Sequence, residues 1–149
     1  MKRVIIAVDF SPIAQKVTEE GYAVAKRMGA TVSLVHVVAD VSYYTVEYSP
    51  LMGYTGLGGD NARQLAGDMK EEARNFIQAT AQHLGGQDIE TVVLEGDPAE
   101  AILAYSVDWK ADLIVMGAHS RGALDILVGN VTAGVLKGSK APVLVVPEG

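Results

Sequence analysis

Residues 111–147 read ADLIVMGAHSRGALDILVGNVTAGVLKGSKAPVLVVP. Leu113 to Met116 is a short apolar run that breaks at Gly117. A polar segment punctuated by Gly117, Gly122 and Gly129 follows, then an amphipathic stretch, then a second apolar run from Val143 to Val146. The order is strand, glycine-rich loop, helix, strand, which predicts a βαβ unit with parallel pairing. A loop of this kind gathers free backbone N–H groups and the N-terminus of a helix in one place, an arrangement that holds phosphate with few charged side chains.

Upstream the same alternation recurs. Val4 to Val8 is a continuous apolar run, as expected of a strand buried on both faces, and it closes on Asp9-Phe10-Ser11-Pro12. Ser11 reads as the cap of the following helix and Pro12 as its first residue. Ile13, Val17, Val24 and Met28 then keep to one helical face until Gly29, and Val32 to Val38 is a second strand. From Ala39 to about Asn61 the periodicity lapses. Tyr43, Tyr44, Tyr48 and Tyr54 stand there among Pro50 and several glycines, which predicts a long mobile loop, either functional or disordered. Leu65 to Leu84 is a long amphipathic helix stopped by Gly85-Gly86, and Ile89 to Leu94 is a third strand. Asp97-Pro98-Ala99-Glu100 opens a third helix as N-cap, first-turn proline and capping-box glutamate. A fourth runs from near Gly129 to Lys137 with Gly138 as its stop.

The resulting β-α-β-α-β-α-β-α-β order predicts an α/β fold: one flavodoxin-like or Rossmann-like doubly wound domain over residues 1–149. Its five-stranded parallel sheet takes the order 3-2-1-4-5, with helices on both faces. Strands one and four are neighbours at the switch point of that order, and ligands of such sheets bind beyond the carboxyl ends of the strands there. Asp9 and Gly117 are thereby expected to meet.

The totals narrow the function. At 149 residues the chain has the length of one domain. Twelve basic against eighteen acidic residues, net charge −6, and no Lys/Arg run make nucleic acid and anionic membrane poor partners. Without cysteine there is no disulfide, thiolate nucleophile or thiolate metal site. Asp9 interrupts the N-terminal apolar run, and no segment approaches the ~20 apolar residues a membrane span needs, so a soluble cytoplasmic protein is expected.

At the predicted meeting point, Gly117, Gly122 and Gly129 let the backbone turn sharply and approach a ligand. Asn130, Val131 and Thr132 fall in the first turn of the fourth helix, with unpaired N–H groups. His119 and Arg121 add donors, and Asp9 is an acceptor of the kind that holds a ribose hydroxyl. Neither the Walker P-loop spacing nor Gly-x-Gly-x-x-Gly is present. The bland readings stand beside these: the glycines as turn residues, Asp9 as a helix cap, Val37 and Val38 as core. His36 reads as a satisfied core histidine, His83 as solvated or helping a helix C-terminus, and Trp109 as packing.

Several of these residues carry a family resemblance. The strand ending in Asp9, His36-Val37-Val38, Gly96-Asp97-Pro98, Met116-Gly-Ala-His-Ser-Arg-Gly122, Leu127-Val-Gly-Asn-Val-Thr132 and Ala141-Pro-Val-Leu-Val-Val-Pro147 resemble the universal stress protein family over the whole chain except the tyrosine-rich loop. Nucleotide-binding members share Gly-x-x-Gly, nine residues, then Gly followed by Ser or Thr. Here Ser120 stands at the second glycine, the loop is one residue shorter, and Asn130 follows Gly129. The resemblance implies an adenine nucleotide, ATP (or ADP or AMP) with Mg²⁺, with the Val37 backbone pairing with an adenine edge. Val8, Phe10, Ser11 and Met116 flank these positions and complete the candidate set. The resemblance also implies a homodimer through the terminal strand Val143–Val146, an apolar edge that otherwise lies open, and a stress-responsive signalling or regulatory role with an unidentified protein partner.

No catalytic or metal-ligating residue is assigned. There is no nucleophile elbow, no paired carboxylates at useful spacing and no His/carboxylate cluster, and His119 lacks a visible carboxylate partner. If ATP binds, slow hydrolysis or none is expected. A nucleotide-free dimeric interaction module and a slow ATPase or phosphotransfer enzyme are the two other readings.

Overall fold

The computed structural model describes residues 2–38, 48–49, 53–54, 59–118 and 129–148. The apolar run at the start of the chain forms β1 (Arg3–Ala7), and its alternation divides the interior into two cores. Val4, Ile6 and Val8 point to one face of the sheet and join Val17, Ala25 and Ile77; Ile5 and Ala7 point to the other and join Ile102, Met116 and Val135. Ile5 and Ile6 are fully buried, each contributing about 1.5–3 kcal/mol by transfer from water. A strand apolar on both faces is what a central position in a parallel sheet demands.

The remaining elements follow in order: α1 (Ala14–Met28), β2 (Thr31–Val38), a short hairpin β3 (Tyr48–Ser49) and β4 (Gly53–Tyr54), and α2 (Gly59–Leu84). Then come β5 (Ile89–Glu95), α3 (Pro98–Trp109), β6 (Leu113–Gly117), α4 (Asn130–Gly138) and β7 (Val143–Val146). The main sheet is β5-β2-β1-β6-β7, all parallel. Counting only its five strands, this is the order 3-2-1-4-5 that the sequence predicts. The side chains of α1 and α2 fill one core and those of α3 and α4 the other, which makes the sheet doubly wound.

Local chemistry explains most boundaries. Asp97 accepts a hydrogen bond from the Glu100 N–H at 3.0 Å, with Pro98 as the first residue of α3, as read from the sequence. That helix ends at Lys110, a non-glycine residue at φ 58° whose N–H and that of Ala111 return to Val107 and Ser106. Gly29, at φ 67°, ends α1 in the same left-handed way.

Three expectations need correction. Ser11 does not cap α1: the helix starts at Ala14, its N-cap residue Ile13 makes no side-chain cap bond, and Pro12 lies in the turn before it. The Asp9 carboxylate accepts from the Ser11 N–H at 2.9 Å, and the turn closes through Ala14 N–H to the Ser11 carbonyl, so the helix begins two residues later than expected. Gly138 is not a stop outside α4 but its last residue, packed where a Cβ would lie 2.7 Å from Leu103 Cδ1. The tyrosine-rich stretch contains the hairpin, pairing Tyr48 with Tyr54 and Ser49 with Gly53, and α2 begins at Gly59, ahead of Leu65; the rest of that loop lies outside the described residues. Among the described residues no helix is long and apolar enough to cross a membrane.

Candidate functional site

The neighbours β1 and β6 mark the point where the connections diverge: the chain leaves β1 through α1 toward β2 and leaves β6 toward β7 on the opposite side. Such a divergence leaves a crevice at the carboxyl ends of the two strands. A cleft of about 640 Å³ opens there. Its floor is the ends of three strands, Ala7 to Asp9, Val35 to Val37, and Met116 with Gly117. One wall is Ser11, Ala14 and Val17; the other is Pro98, Ile102 and residues Gly129 to Thr132. Asp9 and Gly117, 108 positions apart in the numbering, thus share one cavity.

The parts of the cleft differ in character. Asp9 brings a carboxylate whose Oδ1 is already held by the Ser11 N–H, an acceptor suited to hydroxyl groups. On the β6 side Gly129 caps α4 without a side-chain bond. Ala133 is the first N–H of that helix with an i−4 partner, the Gly129 carbonyl at 2.9 Å, so the N–H groups of Asn130, Val131 and Thr132 stand ahead of the ladder. With the helix dipole they favour an anion, by about 0.3–1 kcal/mol per charge where exposed. On the β2 side of β1 lie Val35 and Val37 with Pro98 and Ile102 of α3, an apolar patch. A flat apolar ring carrying hydroxyls and an anionic group would match this sequence of surfaces.

Ten expected site residues line the cleft: Val8, Asp9, Ser11, Val37, Met116, Gly117, Gly129, Asn130, Val131 and Thr132. Phe10 does not. It is 64% exposed, and its ring packs on His36 and Phe76 at centroid distances of 4.7 and 4.6 Å, outside the cavity. Alternation at a strand end sends the side chain after Asp9 to the α2 face. His119, Arg121 and Gly122 lie outside the described residues.

Two residues have roles other than those expected. The Thr132 hydroxyl donates to the Gly117 carbonyl at 3.0 Å and the residue is 2% exposed; it ties the start of α4 to the end of β6. A Cβ at Gly117 would lie 2.7 Å from Ile13 Cδ1 and 2.8 Å from Val17 Cγ2, so the packing of α1 against β6 already requires this glycine. Sequence reading missed Ala7, Ala14, Val17, Val35, His36, Pro98 and Ile102 as cleft residues. The Asp97-Pro98 helix start was a usable signal, because a helix that begins just past the carboxyl end of a parallel strand faces the crevice.

Comparison with known proteins matches the model of the universal stress protein family to residues 1–147. The chain belongs to the universal stress protein family. Universal stress protein MJ0577 of Methanocaldococcus jannaschii is 30% identical over 152 residues, covering 97% of this chain and 94% of its own length. The solved structure of MJ0577 superposes with a TM-score of 0.78 at 26% identity, covering 99% and 96% of the two chains. Two other universal stress proteins share the fold. One, solved in complex with cAMP, has TM-score 0.62 at 22% identity over 97% of this chain and 95% of its own. Another, from Archaeoglobus fulgidus in complex with dAMP, has TM-score 0.63 at 20% identity over 97% of each. The universal stress protein fold accounts for the strand order and for the position of the crevice.

Proposed function

We propose that this chain binds an adenine nucleotide in the β1/β6 cleft, ATP or its ADP and AMP counterparts, as a single-domain, cytoplasmic, homodimeric regulatory protein of stress responses. The observation that carries the reading is the graded cleft: an apolar patch on the β2 side, a hydroxyl acceptor at Asp9, and on the β6 side the N–H groups ahead of the α4 ladder. The complexes of two family members with cAMP and dAMP support an adenine base. Among the described residues no three His, Cys, Asp or Glu side chains gather to hold a metal, and Asp9 is the carboxylate on the cleft. That donor set fits Mg²⁺ arriving on the nucleotide and keeping phosphate and water ligands, with Asp9 left to the ribose hydroxyls.

Dimerisation is read from β7. It pairs with β6 on one side and closes the main sheet on the other, and its apolar residues Val143 to Val145 are half-buried. A second copy pairing along this edge would cover it.

The test is direct. Small molecules released on denaturing the purified protein are identified, and the stripped protein is titrated with ATP in a calorimeter; co-purified adenine nucleotide, or binding in the micromolar range, is expected. Absence of both retained nucleotide and binding heat at high micromolar ATP would refute the reading. It would favour a nucleotide-free interaction module, for which the observation is the Thr132 hydroxyl already spent on Gly117.

A further inference from the structure

The β1–β2 ladder ends irregularly. In a pair registered Ile6↔Leu34 and Ala7↔Val35, the Val8 N–H donates to the Val35 carbonyl at 2.9 Å. The next rung of a parallel ladder would run from the Val37 N–H to the Val8 carbonyl. That rung does not form: strand pairing stops at Ala7↔Val35, and the Val8 carbonyl accepts instead from Nδ1 of His36 at 2.8 Å. A carbonyl only accepts, so Nδ1 carries the proton. The imidazole is 5% exposed and is held between edge contacts to Phe10 and Phe76, at centroid distances of 4.7 and 5.7 Å.

Backbone groups along a strand face its two neighbours in turn. The Val38 carbonyl faces β5, where it accepts from the Gly96 N–H at 3.0 Å, and the Val35 carbonyl faces β1. Val37 therefore presents both its N–H and its C=O to the β1 side, where the chain has turned away at Asp9, and Val37 lines the cleft.

We propose that His36 is a positioning residue for ligand recognition: by binding the Val8 carbonyl it replaces the last rung of the ladder and leaves the Val37 N–H and C=O as an open backbone edge on the cleft. One donor beside one acceptor fits a ring that offers an acceptor beside an amino donor, as adenine does at N1 and N6. In the same ring orientation, a ring that offers N–H beside a carbonyl, as hypoxanthine and guanine do, sets donor against donor and acceptor against acceptor. The base selectivity rests on the nucleotide reading above, whereas the open edge is a property of the free protein.

Amide hydrogen exchange on the free protein tests the edge, and titration with ATP and with inosine triphosphate tests the selectivity. In the parent the Val37 amide should exchange at least tenfold faster than that of Val35. His36→Leu strips the Val8 carbonyl of its donor, so the Val37 amide should close onto it and slow at least tenfold. The same variant should lose at least tenfold in ATP affinity and narrow the preference for ATP over the inosine nucleotide. His36→Asn, whose amide nitrogen falls near the position of Nδ1, should restore fast exchange and much of the lost affinity; a purely packing role for the ring would not give that rescue. A Val37 amide as protected as Val35 in the parent, or exchange unchanged in His36→Leu with its far-UV circular dichroism retained, overturns the proposal. Failure of the parent to bind either nucleotide would refute the nucleotide reading and leave the exchange result to decide the role of His36.

Discussion

Gly117→Ala separates packing from ligand approach at the glycine where the two readings compete. The added methyl would sit 2.7 Å from Ile13 Cδ1 and 2.8 Å from Val17 Cγ2, distances that no pair of carbon atoms sustains, so a side chain or the backbone must move. Val17 is 2% exposed and held in the core, whereas Ile13 is half-buried and can shift. Overpacking of this kind costs about 1–3 kcal/mol, and the loss of glycine freedom in the unfolded chain returns about 0.4–1 kcal/mol. A net destabilisation of about 1–2 kcal/mol is expected, a drop in Tm of about 2–8 °C for a chain of this size. Urea unfolding followed by circular dichroism measures it. Ile13→Val removes the nearer methyl, so in that background the cost of Gly117→Ala should shrink by about 0.5–1 kcal/mol. ATP titration supplies the contrast: if Gly117→Ala leaves stability within about 0.5 kcal/mol of the parent yet abolishes nucleotide binding, the glycine serves the ligand and the packing explanation is wrong.

Other expectations are as specific. Ile114 donates to the Pro142 carbonyl and Ala118 to that of Val146, so by alternation the N–H of Val145 faces away from β6; Val145→Pro should keep the fold yet convert a dimer to a single-chain mass by light scattering, and a dimer that survives would place the interface elsewhere. Lys110 sits at φ 58°, ψ 53° as the C-cap of α3, and Lys110→Gly should raise stability by about 0.5–1 kcal/mol; a loss would refute the assigned strain. Burial holds the Tyr105 phenol above its ordinary range, opposed by its hydrogen bond with Ser33. The folded state therefore binds that proton more tightly, so the contribution is complete below about pH 10 and is lost as pH rises through the folded value. Tyr105→Phe should flatten that alkaline slope in unfolding titrations, and by stranding the Ser33 hydroxyl, which is 0% exposed, should cost about 1–3 kcal/mol at neutral pH. An unchanged slope would assign the alkaline loss to another group.

The strand order and the crevice were legible because they depend on features that survive without coordinates: apolar runs of strand length, helix-period stripes, and Asp97-Pro98 at a helix start. What escaped depends on contacts between distant segments. Ser11 has the composition of a cap, but its backbone is held in a turn by Asp9 and the helix starts only at Ala14. Gly117 reads as a turn residue until α1 is laid across it. Thr132 reads as a phosphate ligand until the Gly117 carbonyl appears beside its hydroxyl. His36 was correctly read as a satisfied core histidine, but its effect on the next residue's amide follows from a ladder register that no one-dimensional pattern encodes. Phe10 was placed in the site by proximity to Asp9, whereas one step along an extended chain carries the side chain to the opposite face.

The central position of β1 has a consequence for biosynthesis. Its partner on one side, β2, follows within about thirty residues, but on the other side Val4 must wait for Leu113, a separation of 109 positions like that between Arg3 and Asp112, which also bond. Val32 and Leu113 are 81 positions apart, so at ordinary translation rates of about 5–20 residues per second some 4–16 s pass between the two events. During that interval the Val4–Val8 strand, buried on both faces in the finished molecule, keeps one edge unpaired on the ribosome. The nascent chain is most in need of a holding chaperone in that window, and the need ends when β6 emerges.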